Sequence, residues 1–249
     1  MWIGDHFIIH RPKDIVSGDF YWTTIYKQYV VFCVADCTGH GVPGAFMSML
    51  CISLLNEIVI KDEVIHPEEI LNKVRIMIIE SLKQKGLMGE QKDGMDISIC
   101  IYNKETSELE FSGANNPLYI IRNKDNESIL CDKQLEQEDY ILYEIRGDRM
   151  PISIYDKMDP FKRNTINLLK NDRLYLFSDG ICDQFGGPNN RRFMNNCLKA
   201  ALMETLTPEI KDQKIQIENR IDEWQAFINP KTGHPFKQVD DICLMGLRI

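Results

Sequence analysis

Tyr29-Val30-Val31-Phe32-Cys33-Val34-Ala35 runs without a break into Asp36-Cys37-Thr38-Gly39-His40-Gly41-Val42-Pro43-Gly44, and then into AFMSMLCISLLNEIV over residues 45–59. Seven apolar residues in a row suit a strand buried on both faces. The glycine-rich segment lets the backbone turn tightly and approach a ligand. The helix that follows is apolar nearly all round, so it reads as buried. One carboxylate, Asp36, stands between a buried strand and a buried helix, where an isolated charge would be costly.

Working outward, the same placement recurs. Asp19 opens the aromatic and β-branched strand DFYWTTIY (19–26), which Lys27-Gln28 joins to the first stretch as a hairpin. Asp179 closes LYLFSD (174–179), and Asp240-Asp241 precede the terminal strand ICLMGLRI (242–249). Each aspartate alone would pass as turn or capping chemistry. Together they point to a hard divalent cation, because Mg²⁺ and Mn²⁺ select oxygen ligands. Zinc does not fit: the eight cysteines form no CxxC pair and the five histidines no HExxH motif. The turn after Asp36 lacks the Gly-Lys-Ser/Thr of a nucleotide-binding P-loop.

Elsewhere Pro67-Glu68-Glu69 opens a helix that carries an apolar stripe from Ile70 to Leu82 and ends around Gly86. A β-meander begins at Met95 with MDISICIYN, LEFSGA, LYIIR and YILYEIRG. A strand pair is expected at 164–169 and 173–177, then helices at 192–206 and 208–227. The segment NPKTGHPFK (229–237) is a long loop, either a gate over a substrate or plain surface. No repeat or linker divides the chain, so the expectation is one α+β domain over residues 1–249.

The chain has 249 residues, with 37 acidic against 29 basic side chains and a formal charge of −8. That sign argues against binding nucleic acid by bulk electrostatics. Cysteines set in apolar runs favour a reducing compartment and reduced thiols. MWIGDHFIIH has no basic region ahead of a long apolar core, so no signal peptide is read there, and no run of about 20 apolar residues suggests membrane insertion. The immediate entry into strand-like sequence leads us to expect the C-terminal part of a longer signalling protein.

Taken in order, Arg11 to Trp22 (RPKDIVSGDFYW), Asp36 to Gly44, Gly113 to Leu118 (GANNPL), Leu176 to Gly180 (LFSDG) and Val239 to Ile242 (VDDI) resemble the bacterial SpoIIE-type phosphatases. These are a branch of the metal-dependent serine/threonine phosphatases related to protein phosphatase 2C. The resemblance implies a four-layer α/β/β/α sandwich of two mostly antiparallel sheets flanked by helices, with two Mg²⁺ or Mn²⁺ ions at one edge. By match to the family motifs, Asp36 bridges the ions beside the Cys37 carbonyl, and Asp19 supports one of them. Asp179 and Asp240 hold the other, and Asp241 occupies a further acidic position. Asp36 and Asp179 are thus the central catalytic acids. His40 either protonates the leaving serine oxygen or stabilises the turn. Asp96 either approaches the ions or ends a turn, and the thiols of Cys37 and Cys182 are bystanders.

The implied reaction is hydrolysis of phosphoserine or phosphothreonine on a bacterial signalling protein of the anti-sigma-factor-antagonist type. It would proceed by a metal-activated water without a covalent phosphoenzyme, and no Cys-x5-Arg loop is present to form one. Implied partners are the phosphoprotein, an upstream sensor or regulatory domain, and a second copy through the switch helix that follows Gly44. The implied location is the cytoplasm, any membrane tether belonging to the upstream sensor. Two other readings compete: the same fold used as a catalytically silent binding module, and a diguanylate cyclase suggested by Ser17-Gly18-Asp19-Phe20. The cyclase leaves Ser178-Asp179-Gly180 and Asp240-Asp241 without a purpose.

Overall fold

A computed structural model describes residues 5–87 and 92–249. Thirteen strands and five helices are assigned among them. One sheet contains β2 (Phe20–Tyr26), β3 (Tyr29–Cys37), β4 (Met95–Asn103), β5 (Glu108–Ala114) and β9 (Asn164–Asn167), in that spatial order. The other runs β1 (Asp5–Arg11), β13 (Ile242–Arg248), β10 (Arg173–Phe177), β6 (Leu118–Asn123), β8 (Tyr140–Ile145), β7 (Lys133–Gln137). All neighbours within the two sheets are antiparallel.

The unbroken apolar strands are explained by burial on both faces. In β3, Val30, Phe32 and Val34 join Leu174, Leu176, Met245 and Leu247 in the core between the sheets. Its alternate residues, Val31, Cys33 and Ala35, pack outward against α1 (Gly41–Asn56) and α2 (Pro67–Ser81). On the far side, Tyr175 and Phe177 of β10 pack on α4 (Met194–Glu204) and α5 (Ile210–Ala226). The result is the expected α/β/β/α sandwich.

Several expectations need correction. The strands at 164–167 and 173–177 do not pair: β9 lies on β5 and β10 lies between β13 and β6, in opposite sheets. Leu168 and Leu174 both face the inter-sheet core, so the chain crosses between layers there rather than turning back on itself. The short α3 (Gly180–Asp183), the ribbon β11–β12 (Phe185–Gly186 with Arg191–Arg192) and the exposed edge strand β7 are additional elements. Helix α1 starts at Gly41 and continues as a π-helical turn, Glu57–Lys61. Together they make 21 residues, long and apolar enough to cross a membrane by length and composition, contrary to the sequence expectation. Here the apolar girth packs on the sheet through Met47, Cys51, Leu54, Leu55, Ile58 and Val59, while Val42, Phe46 and Met49 stay exposed on one stripe.

Candidate metal centre

Both sheets end at the same edge, and the strand-end aspartates meet there. In the first sheet Asp36 pairs with Asp96 across β3 and β4, and Asp19 immediately precedes the Phe20–Ala35 pair. In the second sheet Asp179 follows β10 by two residues and Asp241 abuts β13. Ser178 joins the layers. Its N–H donates to the Cys243 carbonyl (2.9 Å), its Oγ accepts from the Cys243 N–H (2.9 Å) and donates to Asp19 Oδ2 (2.5 Å).

Asp36 lies within hydrogen-bond reach of both Asp19 and Asp179. Burial, then repulsion from Asp19 and Asp179, pushes the Asp36 carboxyl up to about 10. Burial pushes Asp19 up to about 7 against the opposing Ser178 hydrogen bond, and the charges of Asp241 and Asp240 add to the rise. Asp179 is raised chiefly by burial, although its side chain opens to solvent, so part of that effect is screened. Asp96 is raised to about 6 by burial while Asn115 Nδ2 donates to its Oδ1 at 2.8 Å. A divalent cation bound among such crowded, buried carboxylates would favour their ionised form.

The donor chemistry is all oxygen, which suits a hard divalent ion. Among the described residues, no three acidic, His or Cys side chains are grouped closely enough to hold a metal ion as they stand. Close backbone packing shapes the rim. A Cβ on Gly44 would stand 2.2 Å from the Gly39 carbonyl oxygen, and one on Gly18 would meet the oxygens of Gly39 and Cys37 at 2.5 and 3.1 Å. A Cβ on Gly180 would lie 1.8 Å from the Asp241 oxygen.

Not every predicted residue is equally free. Asp241 is buried and its carboxylate accepts the N–H groups of Lys13 (2.7 Å) and Gly18 (2.8 Å), so it anchors the loop that delivers Asp19. Asp240 Oδ1 accepts the Asp241 N–H at 2.9 Å. His40 Nδ1 lies 2.8 Å from Asp14 Oδ2, pinning the same loop to the start of α1. Arg11 turns away to Asp222 on α5 (2.5 Å). The Cys37 thiol is held protonated by its hydrogen bond to the Cys51 sulfur (3.9 Å) and by burial, and burial pushes Cys182 up to about 12. Both therefore remain bystanders. Ser17-Gly18-Asp19-Phe20 enters a strand from a loop instead of forming a hairpin turn.

Sequence reasoning missed Ser178 and Asn115 as partners of the acids, and it missed Lys92. This lysine shares a depression of about 310 Å³ with Asp36, Thr38, Asp96, Asn115 and Tyr155. No sequence signal marked Lys92; LFSDG and GANNP marked the other two as members of motifs only.

The sequence model of the family described as Stage II sporulation protein E (SpoIIE) matches residues 26–249. Phosphoserine phosphatase RsbU of Bacillus subtilis (strain 168) is 23% identical over 184 residues, covering 70% of this chain and 45% of its own length. The chain thus spans less than half of that curated relative. The SiaA-PP2C domain of Pseudomonas aeruginosa superposes with a TM-score of 0.78 at 25% identity, covering 98% of this chain and 85% of that one. The catalytic domain of serine threonine protein phosphatase PstP, solved in complex with 2 manganese ions, shares the fold with a TM-score of 0.59 at 13% identity. That match covers 98% of this chain and 96% of that one.

Proposed function

The chain belongs to the SpoIIE family of phosphatase domains, and from that premise we propose that it hydrolyses phosphoserine or phosphothreonine on a signalling protein with two Mg²⁺ or Mn²⁺ ions. The carrying observation is the convergence of Asp19, Asp36, Asp179 and Asp240 from two sheets onto one edge, with raised carboxyl pKa values among them. The manganese in the PstP structure supports the metal class. The RsbU match supports a phosphoserine substrate. The exposed Val42, Phe46 and Met49 stripe supports contact of α1 with a regulator or a second copy.

When bound, two divalent ions would lower the pKa of a water and neutralise charge on the transferring phosphoryl group. Asp36 would reach both positions, with the Cys37 carbonyl beside it. Asp19 would hold one side from the first sheet, and Asp179 and Asp240 the other from the second. Lys92, which lies in the depression shared with Asp36 and Asp96, pairs with Asp156 at 3.1 Å and would have to exchange that partner to donate to a phosphoryl oxygen. With Nδ1 facing Asp14, His40 keeps Nε2 for delivering a proton to the leaving serine oxygen.

The test is manganese-dependent phosphate release from a phosphoserine peptide. Asp36→Ala and Asp179→Ala should each reduce turnover by about 10²-fold or more. A protein that releases no phosphate and binds no divalent ion would overturn the proposal.

A further inference from the structure

Beside the metal edge lies a groove of about 640 Å³, whose lining includes Phe185, Asn190, Lys231, His234, Phe236 and Lys237. Its two walls diverge from the site itself. One follows Asp179 through α3 to Phe185, and the other runs from Lys231 to Val239, the residue before Asp240. The walls are fastened to each other: Gln184 Nε2 donates to the Lys237 carbonyl (3.0 Å) and Gln184 Oε1 accepts the Val239 N–H (3.2 Å). The Phe236 N–H donates to the Gln225 carbonyl on α5 at 2.9 Å. The segment 229–237 is therefore a built wall and not a gate.

Its charge is the second observation. In a chain of net charge −8 the groove lining contains no acidic residue. Among the described residues neither Lys231 nor Lys237 has an acidic partner; of the lysines elsewhere some, such as Lys61, Lys157 and Lys199, are paired and others, such as Lys104 and Lys211, are not. Two uncompensated ammonium groups flanking aromatic walls, in a groove whose lining reaches Val239 beside Asp240, attract an anionic chain and bury an apolar side chain.

We propose that this groove docks the segment flanking the phosphoserine of the substrate protein, and that the segment is acidic with an apolar anchor. The inference rests on the phosphatase reading above and names the substrate feature it selects. Preformed walls make such docking inexpensive in conformational entropy.

The experiment compares two phosphoserine peptides with the same apolar anchor, one flanked by glutamates and one by lysines. Hydrolysis with Mn²⁺ and binding by fluorescence anisotropy are both measured at low and high salt. The wild-type chain should favour the acidic peptide in kcat/KM and in affinity by about tenfold, less at high salt. In Lys231→Glu/Lys237→Glu that ratio should fall and invert, and Lys231→Gln/Lys237→Gln should lie between them. A merely structural loop would lose both peptides equally. Hydrolysis without charge preference, or a preference unchanged in the double variants, overturns the groove. Charge-selective binding without hydrolysis overturns the phosphatase reading and keeps the groove.

Discussion

Ser178 uses one hydroxyl twice, accepting the Cys243 N–H and donating to Asp19. The donated bond favours the ionised carboxylate and opposes the burial that raises Asp19. Ser178→Ala should therefore lower manganese affinity by about 10- to 100-fold, the range for lost support of a ligand. It should also destabilise the fold by about 1–3 kcal/mol, since it leaves a buried N–H unpaired. Isothermal titration with Mn²⁺ and urea unfolding measure the two effects; unchanged affinity would remove Ser178 from the centre. Its importance was not legible in the sequence, because the contact spans 159 positions and serine disturbs no hydrophobic pattern. The aspartates were legible for the opposite reason: a carboxylate ending an apolar strand is an anomaly that needs a partner.

At the level of elements, the turn between β3 and α1 is held by glycines packed backbone to backbone. Gly44→Ala would drive a Cβ to 2.2 Å from the Gly39 oxygen and 2.9 Å from the Gly18 Cα, neither of which is a yielding side chain. The cost should be about 1–3 kcal/mol, or roughly 2–4 °C in Tm per kcal/mol for a chain of this size. Turnover should fall as well, because the displaced turn carries Asp36 and His40. A Tm within 1 °C of wild type by calorimetry would contradict this packing. The strand, glycine turn and helix were readable locally because each has its own period. Which sheet β9 and β10 join was not, since Ile166, Leu168, Leu174 and Leu176 all contribute to one inter-sheet core and carry no label for either layer. The exposed edge strand β7, KQLEQ, has too little apolar alternation to be recognised at all.

Across the whole molecule, the crowded carboxylates tie stability to pH and to divalent ions. Asp19 and Asp36 have folded-state values of about 7 and about 10 against 3.8 when unperturbed, so the metal-free folded chain binds more protons than the unfolded one. Their contribution is full below about 4 and is lost as pH rises through 7 for Asp19 and toward 10 for Asp36. A cation reverses the sign of this penalty, because it binds only the ionised form. The rise in Tm on adding Mn²⁺ should consequently be greater at pH 8 than at pH 6. Equal shifts at both values in differential scanning fluorimetry would show that the acids do not titrate against the ion. The edge has one further consequence. Asp19 and Asp36 belong to one sheet, Asp179 and Asp240 to the other, so an ion seated among them gauges the offset between two layers whose core contacts are apolar and whose polar ties, such as Ser178 to Asp19, lie at this same edge. Any force that slides one layer over the other, applied as far away as α1 or α5, would be registered as a change in ion affinity. By reciprocity, a seated ion locks that slide.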